Sequence, residues 1–156
     1  MKIENIMTKN VITCRQDDTI GTLARIFKEN HISGLPVVEK NKVVGIASET
    51  DLLELFKFPE FSNELVLPSP LEIIEIPIRN IIRLEEVKKA LLDMKLKPVS
   101  SIMKRNVQSV SPDDDLENAS NKMVKQKVNR LPVIEKGNLV GIVARSDIIR
   151  GLSTVE

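Results

Sequence analysis

The sequence predicts an α/β (α+β) fold built from two β-α-β-β-α repeats that share one pseudo-symmetric core. Three observations carry this reading. Sliding the chain by 96 positions aligns residues 3–56 with 99–152 without a gap, and 15 of the 54 pairs are identical; a gapless match of that length marks a duplicated unit. Within each unit the apolar residues pass from helical spacing to short apolar runs bounded by polar turns. Each unit has material for only about three strands, too small a sheet to bury its own apolar faces. The two copies must therefore cover each other.

Taken in order, repeat one (residues 1–56) opens with a short strand, Val11–Cys14. Asp17-Asp18-Thr19 supplies turn and cap chemistry, and a helix starts near Ile20 with the stripe Ile20, Leu23, Ala24 and Phe27. Asn30-His31 ends it. Leu35–Val38 is an apolar strand with Pro36 at its entrance or on an edge. Glu39–Lys42 is a polar turn, Val43–Ala47 the returning hairpin strand, and Asp51 opens a second helix over Leu52–Phe56. Repeat two (residues 99–156) follows the same path, with Lys136-Gly137-Asn138 as its hairpin turn.

Residues 57–98 match neither repeat. Phe58-Pro59, Leu67-Pro68-Ser69-Pro70 and Ile76-Pro77 interrupt regular structure, with one helical turn expected at Leu71–Ile76. Leu84, Val87, Lys88, Leu91 and Met94 follow helical spacing, which predicts an amphipathic helix over Arg83–Met94 that packs on the body or on a second subunit.

Bulk properties exclude several classes. A net charge of +1 gives no general attraction to nucleic acid or to anionic membranes. With no Trp, no Tyr and four Phe, the chain has no aromatic platform for single-stranded nucleic acid. No apolar run approaches the ~20 residues of a membrane span, and the N-terminal MKIENIMTKN has no signal-peptide apolar region. Cys14 is the single cysteine, which points to a reducing compartment, the cytoplasm. No P-loop, GxSxG, HExxH or CxxC pattern is present. His31 stands without a ligand cluster, so neither catalysis nor a metal is expected.

Three motifs recur in order. They are Ile6-Met7…Val11 with Ile102-Met103…Val107, Leu35–Val37 with Leu131–Val133, and GIASETD (45–51) with GIVARSD (141–147). Together they resemble the CBS domain, and the whole chain resembles a stand-alone tandem CBS pair (a Bateman module). The resemblance covers both repeats, about two-thirds of the chain. It implies a pseudo-two-fold pair with two related clefts, a regulatory rather than enzymatic role, and an adenosine-containing regulatory ligand of the AMP, ADP, ATP or S-adenosylmethionine type. It also implies a homodimer and an effector protein that reads the bound state.

Carried over residue by residue, the resemblance places Asp51 and Asp147 on the ribose hydroxyls, because one carboxylate can accept from a cis-diol. One cleft combines Ser48, Thr50 and Asp51 with Val107, Ser109, Asn129 and Arg130. The other combines Ser146 and Asp147 with Thr8, Val11, Thr13, Ile32, Ser33 and Gly34. Thr50 and Ser146 also fit a plain N-cap, Val11 and Val107 also fit a plain core, and Arg130 also fits a solvated surface charge. Gly45 and Gly141 are given a backbone role, either close approach or a bulge.

The clefts are unequal. Ser48-Glu49 in repeat one stands against Ala144-Arg145 in repeat two, and Arg130 against Gly34. Residues 3–56 carry six basic and eight acidic side chains, residues 99–152 nine and six. A phosphate tail is expected in the cleft with Arg130 and Thr50. The alternative is a structural or interaction protein with degenerate clefts. Lys104-Arg105 and the Lys122–Lys127 stretch make only a modest basic patch, so nucleic acid is not the expected partner.

Overall fold

The computed structural model describes residues 1–57 and 77–154. The helical turn expected at Leu71–Ile76 lies outside the described residues. The chain divides into two compact units: Met1–Gln16 with Gly34–Ala47 and Met103–Glu156, and Asp17–Ser33 with Ser48–Ile102.

The first unit holds both hairpins. Strands β1 (Gly34–Glu39) and β2 (Lys42–Ser48) pair in one sheet, β3 (Arg130–Glu135) and β4 (Asn138–Ala144) in a second. Each hairpin turns on two residues with positive φ, Lys40 (48°) and Asn41 (62°) in the first and Lys136 (49°) and Gly137 (82°) in the second. Positive φ at both central positions is the I′ turn that matches strand twist. In the second hairpin Glu135 faces Asn138 and Pro132 faces Ile142, with a register shift between Val133 and Ile134.

The expected first strand shrinks to one residue per repeat. Cys14 makes a parallel bridge to Val37 and Val110 one to Val133. Cys14 donates to the Pro36 carbonyl at 3.3 Å and accepts from Val38 at 2.9 Å. Extension fails before that point because the Val11 N–H turns back onto Lys9 O at 3.1 Å, as Val107 does onto Arg105 O at 3.0 Å. These tight three-residue turns redirect the chain. Pro36 sits inside β1, where its carbonyl serves the bridge and it has no N–H to leave unpaired.

The outer edge of each hairpin is taken by the other repeat. Thr8 and Ile142 exchange N–H···O bonds of 2.9 and 3.0 Å, and Lys104 and Ile46 exchange bonds of 2.8 and 2.9 Å. The glycines permit this. A Cβ on Gly141 would lie 2.5 Å from Met7 Sδ and 3.2 Å from the Thr8 carbonyl; one on Gly45 would lie 2.7 Å from Met103 Sδ and 3.2 Å from the Lys104 carbonyl. The IM and GI motifs of opposite repeats are two sides of one contact.

Helices α4 (Leu116–Gln126) and α5 (Arg145–Ser153) complete this unit. Its core joins Ile3 to Val110, Ala119, Met123, Leu131, Val133, Val143 and Ile148. The N-terminal segment is tied to the start of α4 by Ile3 N–H to Asp114 O at 2.8 Å.

In the second unit α1 (Ile20–Asn30) is capped by Thr19, whose side chain accepts from Thr22 N–H at 3.2 Å, and buries Ile20, Leu23 and Phe27. His31 ends it in the left-handed conformation, φ 52°. This C-cap role accounts for its place in the sequence. Val99 is fully buried and donates to Asp18 O at 2.8 Å.

The expected Arg83–Met94 helix is longer, running Pro77–Leu96 (α3). Pro77 opens the helix instead of breaking it, since the first turn needs no donor from that residue. The Lys95 stem crosses α1 at Gly21, where a Cβ would lie 2.6 Å from its Cγ. Much of the apolar stripe faces away from the fold: Leu84 is 67% exposed.

Gly141→Ala is expected to destabilise the protein by about 1–3 kcal/mol through overpacking, a fall of several degrees in Tm. Combined with Met7→Ala, the loss should be less than additive, because the Met7 sulfur is the nearest atom. Urea unfolding of the two single variants and the double variant measures both effects.

Candidate functional site

Among the described residues, the buried charged side chains are Asp51 and Asp147, 4% and 7% exposed. Both close a GI motif, and both sit where a strand runs directly into a helix. Helix α2 spans Glu49–Glu54 and α5 spans Arg145–Ser153, so each helix begins two residues before the expected Asp start. The apolar strand pattern hides this junction. The spacing Ser48-x-x-Asp51, a capping box, is the signal that marks it.

At Asp51 the box is complete. Oδ2 accepts the Ser48 N–H at 2.9 Å and the Ser48 hydroxyl at 3.0 Å, and the Asp51 N–H donates back to Ser48 Oγ at 3.3 Å. At Asp147 only half remains. Oδ2 accepts the Ala144 N–H at 2.8 Å, while Ala144 has no hydroxyl to return the bond. The Oδ1 of Asp147 instead accepts from Arg150. Thr50 and Ser146 are exposed residues in the first helical turn, not N-caps.

The pre-LPV residues hold these junctions. Ser33 O accepts the Glu49 N–H at 2.9 Å, and Asn129 O accepts the Arg145 N–H at 3.0 Å. The Asn129 side-chain oxygen also accepts from Arg145 at 3.2 Å. At α2, then, two N–H groups of the first helical turn, those of Glu49 and Asp51, have protein acceptors.

Of the residues expected with Asp147, Thr8, Val11, Thr13, Gly34 and Ser146 share its unit. Thr8 pairs with Ile142, two residues before the end of the strand that leads to Asp147. Ile32 and Ser33 belong to the second unit. Of the other group, Ser48, Thr50 and Asp51 belong to the second unit, and Val107, Ser109, Asn129 and Arg130 to the first. Ser109 O accepts Lys122 Nζ at 2.7 Å.

Arg130 lies against a residue expected in the Asp147 group. Its guanidinium lies over Gly34, where a Cβ would fall within 3.0 Å of three of its atoms. Positions 34 and 130 are aligned in the repeat, so the cation of one copy rests on the glycine of the other. Sequence alone gives the correspondence but not the contact. The repeat motifs do not include Arg150, although Asp147-x-x-Arg150 is the spacing at which two side chains meet on a helix.

A cavity of about 490 Å³ opens between α4 and α5, lined by Met123, Val124, Val128, Asn129, Arg145 and Ile148 among others. Asp147 is not among its lining residues. No group of His, Cys, Asp and Glu able to hold a metal occurs among the described residues. None of their helices is long and apolar enough to cross a membrane.

The sequence model of the CBS domain family matches residues 3–57 and 99–154. The chain is 38% identical over 154 residues to the uncharacterized protein MJ1426 of Methanocaldococcus jannaschii, covering 97% of this chain and 91% of that protein. The CBS domain pair of protein MJ0100, solved with 5′-methylthioadenosine and S-adenosyl-L-methionine, superposes with TM-score 0.69 at 23% identity, over 98% of this chain and 96% of that one. CBSX2, solved in complex with AMP, superposes with TM-score 0.70 at 22% identity, over 97% and 96%.

The unequal caps make a paired prediction. Ser48→Ala should cost about 0.5–2 kcal/mol, and Ala144→Ser should gain up to about 1 kcal/mol by completing the second box. Guanidinium unfolding midpoints of the two variants against the parent test both signs.

Proposed function

The chain belongs to the CBS domain family, and from that premise we propose that it is a regulatory module that binds an adenosine-containing ligand through Asp51 and Asp147. The observation that carries the proposal is the burial of these two carboxylates at matching strand-to-helix junctions. A buried charge is costly unless it is satisfied. Asp147 spends Oδ2 on a backbone N–H and keeps Oδ1 for a side chain or a ligand. AMP, 5′-methylthioadenosine and S-adenosylmethionine, bound by pairs of this fold, share an adenosine with adjacent ribose hydroxyls. A carboxylate oxygen held in place by its partner oxygen suits such a diol.

The remaining residues extend this reading. Thr8, Val11, Thr13, Gly34 and Ser146 accompany Asp147. Ser48 and Thr50 accompany Asp51. Arg130 supplies a cation for a phosphate tail, and its position on Gly34 moves it toward the Asp147 group. The ligand acts as a regulator and not as a cofactor of catalysis. The protein works as a homodimer with an effector protein in the cytoplasm. Exposed Val124, Ile149 and Leu152, 77%, 66% and 59% accessible, support a second copy against α4 and α5.

A second reading has its own support. Both carboxylates already cap helices, so a pair with degenerate clefts that serves interaction alone would keep them for stability.

Calorimetry with AMP, ATP and S-adenosylmethionine separates the two. At least one ligand should bind and raise Tm, by about 2.7 kcal/mol of linkage at a hundred times Kd. Asp51→Asn and Asp147→Asn should each weaken their own site about tenfold or more. Folded variants that bind like the parent, or a parent that binds none of the three, would favour the interaction reading.

A further inference from the structure

Asp51 and Asp147 differ in what stands one turn further along their helices. Three residues past Asp147 is Arg150, whose guanidinium pairs with Asp147 Oδ1. Three residues past Asp51 is Glu54, a carboxylate that has no hydrogen to donate. The Arg150 side chain is 66% exposed and that of Asp147 10%. The guanidinium therefore comes in from solvent over a buried acid, and can leave without disturbing the core.

The other oxygen of Asp147 is tied to the backbone. Oδ2 holds the Ala144 N–H at 2.8 Å, the bond that fixes the start of α5. Arg150 comes in from solvent and occupies Oδ1, so a group that approaches by the same route meets its guanidinium first. Repeat two lacks the hydroxyl that Ser48 supplies beside Asp51, and carries a cation where repeat one carries an anion. Both changes bear on the same carboxylate.

We propose that Arg150 sets the occupancy of the Asp147 site by competing with the ribose hydroxyls for Oδ1, so that a ligand must displace its guanidinium to bind. This inference rests on the reading of Asp147 as a diol acceptor. Arg150 acts through Asp147 and is a positioning residue. The ion pair is a latch that holds the carboxylate when no ligand is present and weakens the repeat-two site relative to a site without it.

Adenosine is the probe, because a neutral nucleoside has no phosphate to reward a nearby cation. Its binding is measured by calorimetry in an Asp51→Asn background, which leaves Asp147 as the diol acceptor. Arg150→Ala and Arg150→Gln should both bind adenosine about twofold to fivefold more tightly than the background, the range an exposed ion pair carries. Raising NaCl from about 50 to about 500 mM should tighten adenosine binding where Arg150 is present, by screening the pair, and leave both variants unchanged. With 2′,3′-dideoxyadenosine the gain from either variant should vanish. Adenosine affinity that stays equal or falls in both variants would overturn the proposal. AMP binding that is lost in Asp147→Asn but indifferent to Arg150→Ala would overturn it while sparing the diol reading. Failure of the background protein to bind adenosine or AMP would remove the diol reading, and the latch with it.

Discussion

The structure depends on an exchange of backbone. Residues 7–8 of repeat one lie on Gly141-Ile142 of repeat two, and residues 103–104 of repeat two lie on Gly45-Ile46 of repeat one. Each hairpin is a two-stranded sheet, which alone is marginal in water and leaves an open edge. The exchange covers part of that edge with one residue pair per hairpin, from the backbone of the other repeat. It works only where the receiving residue has no Cβ, because methionine and a carbonyl oxygen occupy that space. Repeated glycine, repeated methionine and the duplication itself thus have one cause.

That constraint also places Thr8 on the strand that leads to Asp147. Thr8 reaches β4 through the exchange, and β4 delivers Asp147 three residues after it ends. The Asp then serves two purposes with two oxygens. Oδ2 anchors the helix start, and Oδ1 faces outward. Under the proposed function a substitution there acts on the fold and on recognition together, which is why Asn, with an acceptor retained, is the informative replacement and Ala is not.

Much of this was legible in the sequence. The repeat, both hairpins, α1, α4 and the paired Asp residues follow from spacing and turn chemistry. Three features were less so, each for a physical reason. The first strand looks extended over Val11–Cys14, but a three-residue turn at Lys9–Val11 leaves only Cys14 to pair. The second helix of each repeat starts two residues early, because apolar alternation runs through the junction and only the Ser48-x-x-Asp51 spacing marks it. Pro77 reads as a breaker although Pro is also at home in a first helical turn. The contact of Arg130 with Gly34 joins residues far apart in the chain, and local pattern carries no trace of it.

In the proposed function an adenosine ligand is received at Asp147 by parts of both repeats joined through the exchanged backbone. Amide hydrogen exchange with and without AMP tests it most directly. AMP should slow exchange together at Thr8, at Ile142 and through Ser146–Asp147, since Thr8 is bonded to the strand that leads to Asp147. Slowing confined to residues of a single repeat, or no slowing at Thr8 while Asp147 is protected, would contradict it.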